Sequence, residues 1–273
     1  LLIDGKVASS PFPVMESEFS HLYPDYSAKA DSIVYISNES GFYELWKADS
    51  SGMNRQQLTF LEQSVNYPRW SHNGDRVAFL APVENSNSDR IYIIDVQSKK
   101  VTTLATPFQL HNRPTWSFDD SAIISAVHNN ESTDLYQISI QDGATKRLTF
   151  DNGRYGIMTS PTTLLYTRNR SGLWQKELGG KSFLKLDKDT FSARYAWVYE
   201  NNVLYYRQRT PEHQQYLRYD FNQEIKTELF RLPPTRNKGY QEISLNAQKG
   251  ELLITSGKSE QSDIKKLEHP LLD

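Results

Sequence analysis

Cysteine is absent from the 273 residues. That excludes disulfide bridges, thiolate metal sites and a cysteine nucleophile, and it suits an exported protein as well as a cytosolic one. No run of about 18 apolar residues occurs, so no segment reads as a transmembrane helix. An excess of one charge is missing too. With 31 Lys and Arg against 33 Asp and Glu, there is neither a basic stripe for nucleic acid nor a polybasic membrane anchor. The chain begins at Leu1 rather than methionine, as expected of a processed product or an excised domain with partner domains elsewhere. What it has in quantity is aromatic: 16 Tyr, 12 Phe and 5 Trp. Such side chains suit strands, where they pack across a pleated face.

Those aromatics recur. Tyr67-Pro68-Arg69-Trp70-Ser71 and Arg113-Pro114-Thr115-Trp116-Ser117 are copies of one phrase, with an earlier copy at Tyr23-Pro24-Asp25-Tyr26-Ser27. The spacing of about 45 residues is that of propeller blades or helical arrays. Each phrase leads to a β-branched run, then to an aromatic run such as Glu44-Leu45-Trp46, Arg90-Ile91-Tyr92 or Asp134-Leu135-Tyr136. A last element follows: Gln57-Leu58-Thr59-Phe60, Thr103-Leu104-Ala105 and Arg147-Leu148-Thr149-Phe150. Asn73-Gly74 separates the first two elements, where a tight hairpin needs residues tolerant of positive φ. One unit therefore predicts four antiparallel strands, the last being the Leu-Thr strand. Drifted units begin near Tyr155, Tyr195 and Glu242. Six units result.

The sixth unit lacks its last strand, and residues 6–10 resemble the outer strand at Val101–Leu104. The expected fold is all-β: one six-bladed propeller domain over residues 1–273, built of four-stranded antiparallel blades. The N-terminal strand at residues 6–10 would close the ring and leave no open edges. Trp70, Trp116 and Tyr26 are expected to fill the wedges between blades.

The Pro-x-Trp-Ser-x-x-Gly-x-x-Val-Ala-Phe phrase, with the aromatic and Leu-Thr elements, resembles the propeller repeats of TolB-type proteins. The likeness covers essentially the whole chain, strongly over residues 23–150. The C-terminal third, with Asp220-Phe221, Leu232-Pro233-Pro234 and Ser262-Asp263-Ile264, resembles propellers fused to CadC- or ToxR-like winged helix-turn-helix regulators. That resemblance implies the periplasmic sensory domain of an inner-membrane protein, with DNA contact made by a domain outside this chain.

Motifs for chemistry are scarce. Leu178-Gly179-Gly180-Lys181-Ser182 ends like a phosphate-binding loop, but Gln175 stands where the earlier glycine belongs. It also lies between strands, not at a helix N-terminus, so it reads as a hairpin turn. No serine sits in a Gly-x-Ser-x-Gly elbow, and the six histidines show no paired ligand spacing. Asp49, Asp119 and Asp120 read as turn residues that hydrogen-bond the backbone. No cofactor and no metal are expected.

One constellation points to binding. In a propeller the first strand of each blade runs beside the central channel, so residues just before the phrase should gather at one channel mouth. These are Tyr23, Tyr67, Arg113, Arg154, Tyr155, Arg194, Tyr195 and Glu242, with Asn66, His111, Asn112 and Gln241 beside them. Arginine forks among rigid tyrosines suit carboxylates and peptides. The alternative is that the aromatics merely fill the channel and the arginines pair with Glu242 or solvent. The expected partner is a small molecule, peptide or protein at that mouth, with no nucleic-acid contact and no membrane insertion by this chain. The expected function is a non-enzymatic sensory propeller of a winged-helix regulator. The alternative is a TolB-like protein-binding scaffold, and a third reading is the propeller of a peptidase or metal-dependent lyase.

Overall fold

The repeat is realised entirely in strands. The computed structural model describes residues 2–3, 6–7, 11–83, 88–129, 132–169, 172–234, 242–258 and 261–268, and these hold no helix. A hairpin of β1 (Leu2–Ile3) and β2 (Lys6–Val7) precedes β3 (Phe12–Met15). The first blade comprises β4 (His21–Ser27), β5 (Ser32–Ser37), β6 (Glu44–Asp49) and β7 (Gln56–Gln57). The second comprises β8 (Asn66–Trp70), β9 (Arg76–Pro82), β10 (Asp89–Asp95) and β11 (Val101–Thr103). The third holds β12 (His111–Trp116), β13 (Ala122–Asn129), β14 (Ser132–Ser139) and β15 (Thr145–Arg147). The fourth holds β16 (Gly153–Met158), β17 (Thr163–Arg168), β18 (Leu173–Glu177) and β19 (Ser182–Leu186). The fifth has β20 (Trp197–Glu200), β21 (Val203–Arg209), β22 (Gln214–Asp220) and β23 (Ile225–Leu232), and the sixth has β24 (Ile243–Asn246), β25 (Glu251–Lys258) and β26 (Gln261–Glu268). Beside the two-stranded β1–β2 sheet, the six blade sheets are each four-stranded, with neighbours antiparallel and consecutive in sequence except where β3 joins β26. The fold is an all-β six-bladed propeller.

Burial explains the sequence pattern of each blade. β5 is buried along its whole length and β9 over its five central residues. A strand covered on both faces selects a continuous apolar run such as Ile33-Val34-Tyr35-Ile36. The outermost strands β7, β11 and β15 are two or three residues long and mostly exposed, which limits the edge open to stray pairing. They also correct the Leu-Thr strand. Leu58, Leu104 and Leu148 fall just after the strands and turn inward, all at most 5% exposed, while Leu104 N and Leu148 N still donate to the Ile91 and Leu135 carbonyls at 2.9 and 2.8 Å.

The strands gather into two compact units. One is Leu1–Gln57 with Ala196–Asp273, holding blades one, five and six; the other is Leu58–Tyr195, holding blades two to four. In the first unit, Met15, Ile33, Tyr35, Ala48, Leu253 and Ile264 form one apolar cluster, and Tyr205, Tyr216, Ile243 and Leu252 belong to another. The N-terminal strand does complete the sixth blade, with Met15 opposite Ile264 and Phe12 opposite Lys266. It is Phe12–Met15, however, and not residues 6–10. Lys6 and Val7 pair with Ile3 and Leu2, and residues 8–10 lie outside the described residues. Closure needs a side chain large enough to fill the blade interface, which Met15 supplies at 0% exposure. Pro13 is tolerated because β3 is an outermost strand with one edge unpaired.

In the second unit, Trp116 fills the wedge between blades two and three with Leu80, Ile91, Ile93 and Ile138. Its Nε1 donates to the Arg69 carbonyl at 3.0 Å. The side chain of Asp119 caps its own turn, accepting from Ser117 Oγ and Ser121 N. Asp120 does more than cap a turn. Its carboxylate crosses to blade two and accepts from His72 N, Asn73 N and His72 Nδ1 at 2.9, 2.9 and 2.7 Å. Asp134, 1% exposed, is the anchor at the far side of blade three. It accepts from Arg147 Nη2 at 2.6 Å, Thr149 Oγ1 at 3.0 Å and the amides of Asp151 and Asn152.

Candidate functional site

Three of the candidate residues share an unusual backbone. Tyr23, Tyr67 and Arg113 have φ of 53°, 52° and 48°, and each directly precedes a proline. The register of their strands slips at the same place, between Leu22 and Asp25, Asn66 and Arg69, and Asn112 and Thr115. Two residues therefore oppose one, namely Tyr35, Phe79 or Ser125. This is a β-bulge whose first residue is left-handed, a place that glycine normally takes. A bulky side chain there costs on the order of 1–3 kcal/mol, and a residue before proline is ordinarily pushed to extended geometry. The proline supplies the second bulge position, where its missing N–H removes no ladder bond. The device re-aims the Tyr or Arg side chain out of the regular pleat. Blade four repeats it in milder form, with a slip between Gly153 and Tyr155 that singles out Arg154.

In the second unit the bulges converge on Arg113. Its guanidinium carbon lies 4.3 Å from the Tyr67 ring centroid and 3.9 Å from that of Tyr195, so both faces of the fork are covered by aromatic rings. Each such contact is worth about 0.5–2 kcal/mol, the upper end when desolvated, and Arg113 is only 8% exposed. Tyr155 meets Tyr195 edge to face at 6.4 Å. Arg194 stands at the solvent side of the cluster, 5.9 Å from the Tyr195 ring, with Nη2 donating to the Asn169 carbonyl at 3.1 Å. Its own carbonyl is tied to Thr167 Oγ1 at 2.7 Å. Arg154 is half-buried, and its Nε finds no acceptor among the described residues.

Of the eight candidates, Tyr67, Arg113, Tyr155, Arg194 and Tyr195 form one contact cluster, with Arg154 next to Tyr155 on β16. Tyr23 and Glu242 belong to the other unit, where both are buried. Among their predicted neighbours, His111 is buried rather than presented. Burial pulls its pKa down to about 4, assisted by the charge of Arg90 and opposed by a backbone hydrogen bond at Phe108. Gln241 lies outside the described residues. With both faces of the Arg113 fork covered and its Nε and Nη1 buried, this arginine packs between the tyrosines and positions them. Arg194 is the exposed cation. Guanidinium and phenol groups are hydrogen-bond donors whose chemistry suits carboxylates and amide carbonyls.

The repeats, the blades and the bulged first strands now meet an independent comparison. Residues 3–235 match the family model described as the TolB beta propeller domain, PD40. The chain belongs to the TolB β-propeller family. A curated relative, the Tol-Pal system protein TolB of Albidiferax ferrireducens, is 29% identical over 87 residues, which are 32% of this chain and 20% of that protein. Among solved structures, TolB from Acinetobacter baumannii superposes with a TM-score of 0.65 at 18% identity, over 81% of this chain and 56% of that one. An oligogalacturonate lyase from Vibrio parahaemolyticus superposes with a TM-score of 0.62 at 10% identity, over 96% and 97% of the two chains. At such identities the superpositions establish the shared propeller architecture. The chain thus spans about a fifth of the curated TolB relative and little more than half of the A. baumannii protein.

Two features of this TolB-type propeller escaped the sequence. One is the reach of Asp120 into blade two, which depends on how blades abut. The other is a basic groove around Phe150, to which Lys146, Arg147 and Lys176 contribute from separate strands. The only hint was that Phe60 and Phe150 recur after Leu-Thr yet are 69% and 68% exposed.

Proposed function

We propose that this propeller is a non-enzymatic, TolB-like scaffold in the periplasm that binds a protein partner. Its recognition surface is the Tyr67–Arg113–Tyr195 cluster with Arg154 and Arg194. The observation that carries the reading is the triple recurrence of a left-handed, pre-proline bulge at Tyr23, Tyr67 and Arg113. In the second unit this backbone turns Tyr67 and Arg113 into the cluster whose exposed cation is Arg194, while in the other unit it turns Tyr23 into the core. The match to the TolB propeller model over residues 3–235 supports the scaffold and the periplasmic setting. A photoreactive amino acid at position 194 is expected to trap one partner reproducibly, whereas the same group at the exposed Lys226 of β23 does not. The reading fails if Arg113→Ala, Arg154→Ala and Arg194→Ala together leave partner binding unchanged in a protein whose melting temperature is intact.

A second reading makes the propeller the sensory ectodomain of an inner-membrane winged-helix regulator, with DNA contact made outside this chain. It rests on the resemblance of residues 220–221, 232–234 and 262–264 to regulator-fused propellers, and the TolB relatives favour the scaffold over it. A winged-helix segment upstream in the same open reading frame would select the regulator.

A further inference from the structure

Between blades three and four, within the second unit, lies a groove of about 330 Å³. Its walls carry Lys146 and Arg147 of β15, Lys176 of β18, Phe150, and the Gly179–Gly180 turn of the β18–β19 hairpin. Three cations and no acid line it, in a chain whose net charge is −2. Phe150 forms the apolar wall and is 68% exposed. The Arg147 guanidinium lies 4.6 Å from its ring centroid and the Lys176 ammonium 5.6 Å. Arg147 is fixed from beneath by Asp134 at 2.6 Å and by the Thr149 carbonyl at 3.0 Å. Neither Lys146 nor Lys176 meets a carboxylate among the described residues. A surface aromatic flanked by uncompensated cations is costly to leave bare and complementary to carboxylates carried beside an apolar group.

We infer that this groove docks an acidic peptide segment of a partner protein, an apolar side chain of the segment lying on Phe150 and its carboxylates meeting Lys146 and Lys176. The chemistry separates this occupant from other anions. The Gly180 amide is spent on the Glu177 carbonyl at 2.8 Å, so the turn presents no amide cradle for phosphate despite its Gly-Gly-Lys-Ser spelling. The overall negative charge disfavours extended polyanions such as nucleic acid or an anionic membrane, which would touch far more surface than this patch. The volume is at the small end for a ligand site and suits the side chains of a short segment. Gly179, at φ +87° with nothing within 4 Å of its missing Cβ, leaves that end of the groove open to a passing chain.

The test measures binding of a fluorescent peptide alternating Glu with Leu and Phe, and of its counterpart with Lys in place of Glu. The acidic peptide binds and the basic one does not. Binding weakens several-fold from low to high salt, as expected for partly exposed charge pairs. The double variant Lys146→Glu/Lys176→Glu loses about tenfold or more in affinity, and Phe150→Ser loses about fivefold with the charge unchanged. Lys146 and Phe150 are exposed and Lys176 is half-buried, and Lys146→Gln/Lys176→Gln serves as the milder pair should charge reversal lower the melting temperature. Equal binding of the two peptides, no binding of the acidic one, or unchanged affinity in the lysine variants overturns the proposal. Displacement by inorganic phosphate at the concentration at which the peptide itself binds would also overturn it, because the groove would then be a bare anion site.

Discussion

Removing the Asp120 side chain tests whether blades two and three are latched by one carboxylate or only by their apolar wedge. The side chain is 2% exposed and accepts two backbone amides, His72 N and Asn73 N, besides the His72 ring. Hydrogen bonds to a charged acceptor contribute about 1.5–3 kcal/mol each. The His72 ring is 53% exposed and can turn to water, so the loss falls mainly on the two amides, for a total of about 3–6 kcal/mol. Asp120 also sits at φ 57°, and its counterpart in blade two is Gly74 at φ 71°. Alanine at such a φ adds on the order of 1 kcal/mol, which glycine avoids and asparagine largely avoids. In urea denaturation the stability loss should therefore rank Asp120→Ala above Asp120→Gly, by about 1 kcal/mol, and Asp120→Gly above Asp120→Asn, which keeps one acceptor. A loss below about 1 kcal/mol for alanine, or a glycine variant no better than alanine, would refute the latch or the strain respectively.

Two further outcomes follow from the same physics. His21 and His111 are held neutral, with pKa values lowered from 6.5 to about 4, chiefly by burial and secondarily by the charges of Arg55 and Arg90. Above pH 6.5 neither folded nor unfolded chain binds the proton. Between 6.5 and 4 only the unfolded chain does, so stability falls as pH falls, by about 3 kcal/mol per histidine in total. Urea midpoints of the wild type should drop steeply over that window while His21→Gln/His111→Gln shows a flatter profile; parallel profiles would reject the assignment. Gly143 has φ +73°, and a Cβ there would lie 2.4 Å from the Ala105 carbonyl oxygen, whereas Gly179 at φ +87° faces open space. Gly143→Ala should cost about 2–3 kcal/mol and Gly179→Ala about 1 kcal/mol, and equal melting shifts would show that the backbone collision is relieved at no cost.

The blades were legible because each is a local event. Pro-x-Trp-Ser marks where β8 and β12 end, the four-residue turn after it is written as His72-Asn73-Gly74-Asp75, and the buried second strands announce themselves as unbroken apolar runs. What stayed hidden depends on register or on partners distant in sequence. Nothing in Tyr-Pro or Arg-Pro announces a positive φ, since the residue before proline is ordinarily extended; the neighbouring strand imposes the bulge. The closing strand was misplaced because residues 6–10 copy the turn-and-strand spelling of an outer strand, while the deciding quantity is the volume that Met15 brings to Ile33, Tyr35 and Ile264. Tyr67, Arg113, Tyr155, Arg194 and Tyr195 stand together in the second unit, whereas Tyr23 and Glu242, expected beside them, belong to the other unit. Their stacking order, with Arg113 sandwiched and Arg194 outside, follows from geometry that residue identity does not encode.

The pairing of Met15 with Ile264 also sets a timetable. During synthesis β3 is made about 250 residues before its partner strand β26, so an apolar strand waits without its mate while the blades between them are made. Joining ends this far apart costs about 5 kcal/mol in loop entropy on the logarithmic scaling, and such distant contacts slow folding. The sixth blade should therefore be the last to acquire amide protection when the unfolded chain is returned to native buffer. Until it does, β26 offers its free edge to any strand nearby, including β3 of another copy.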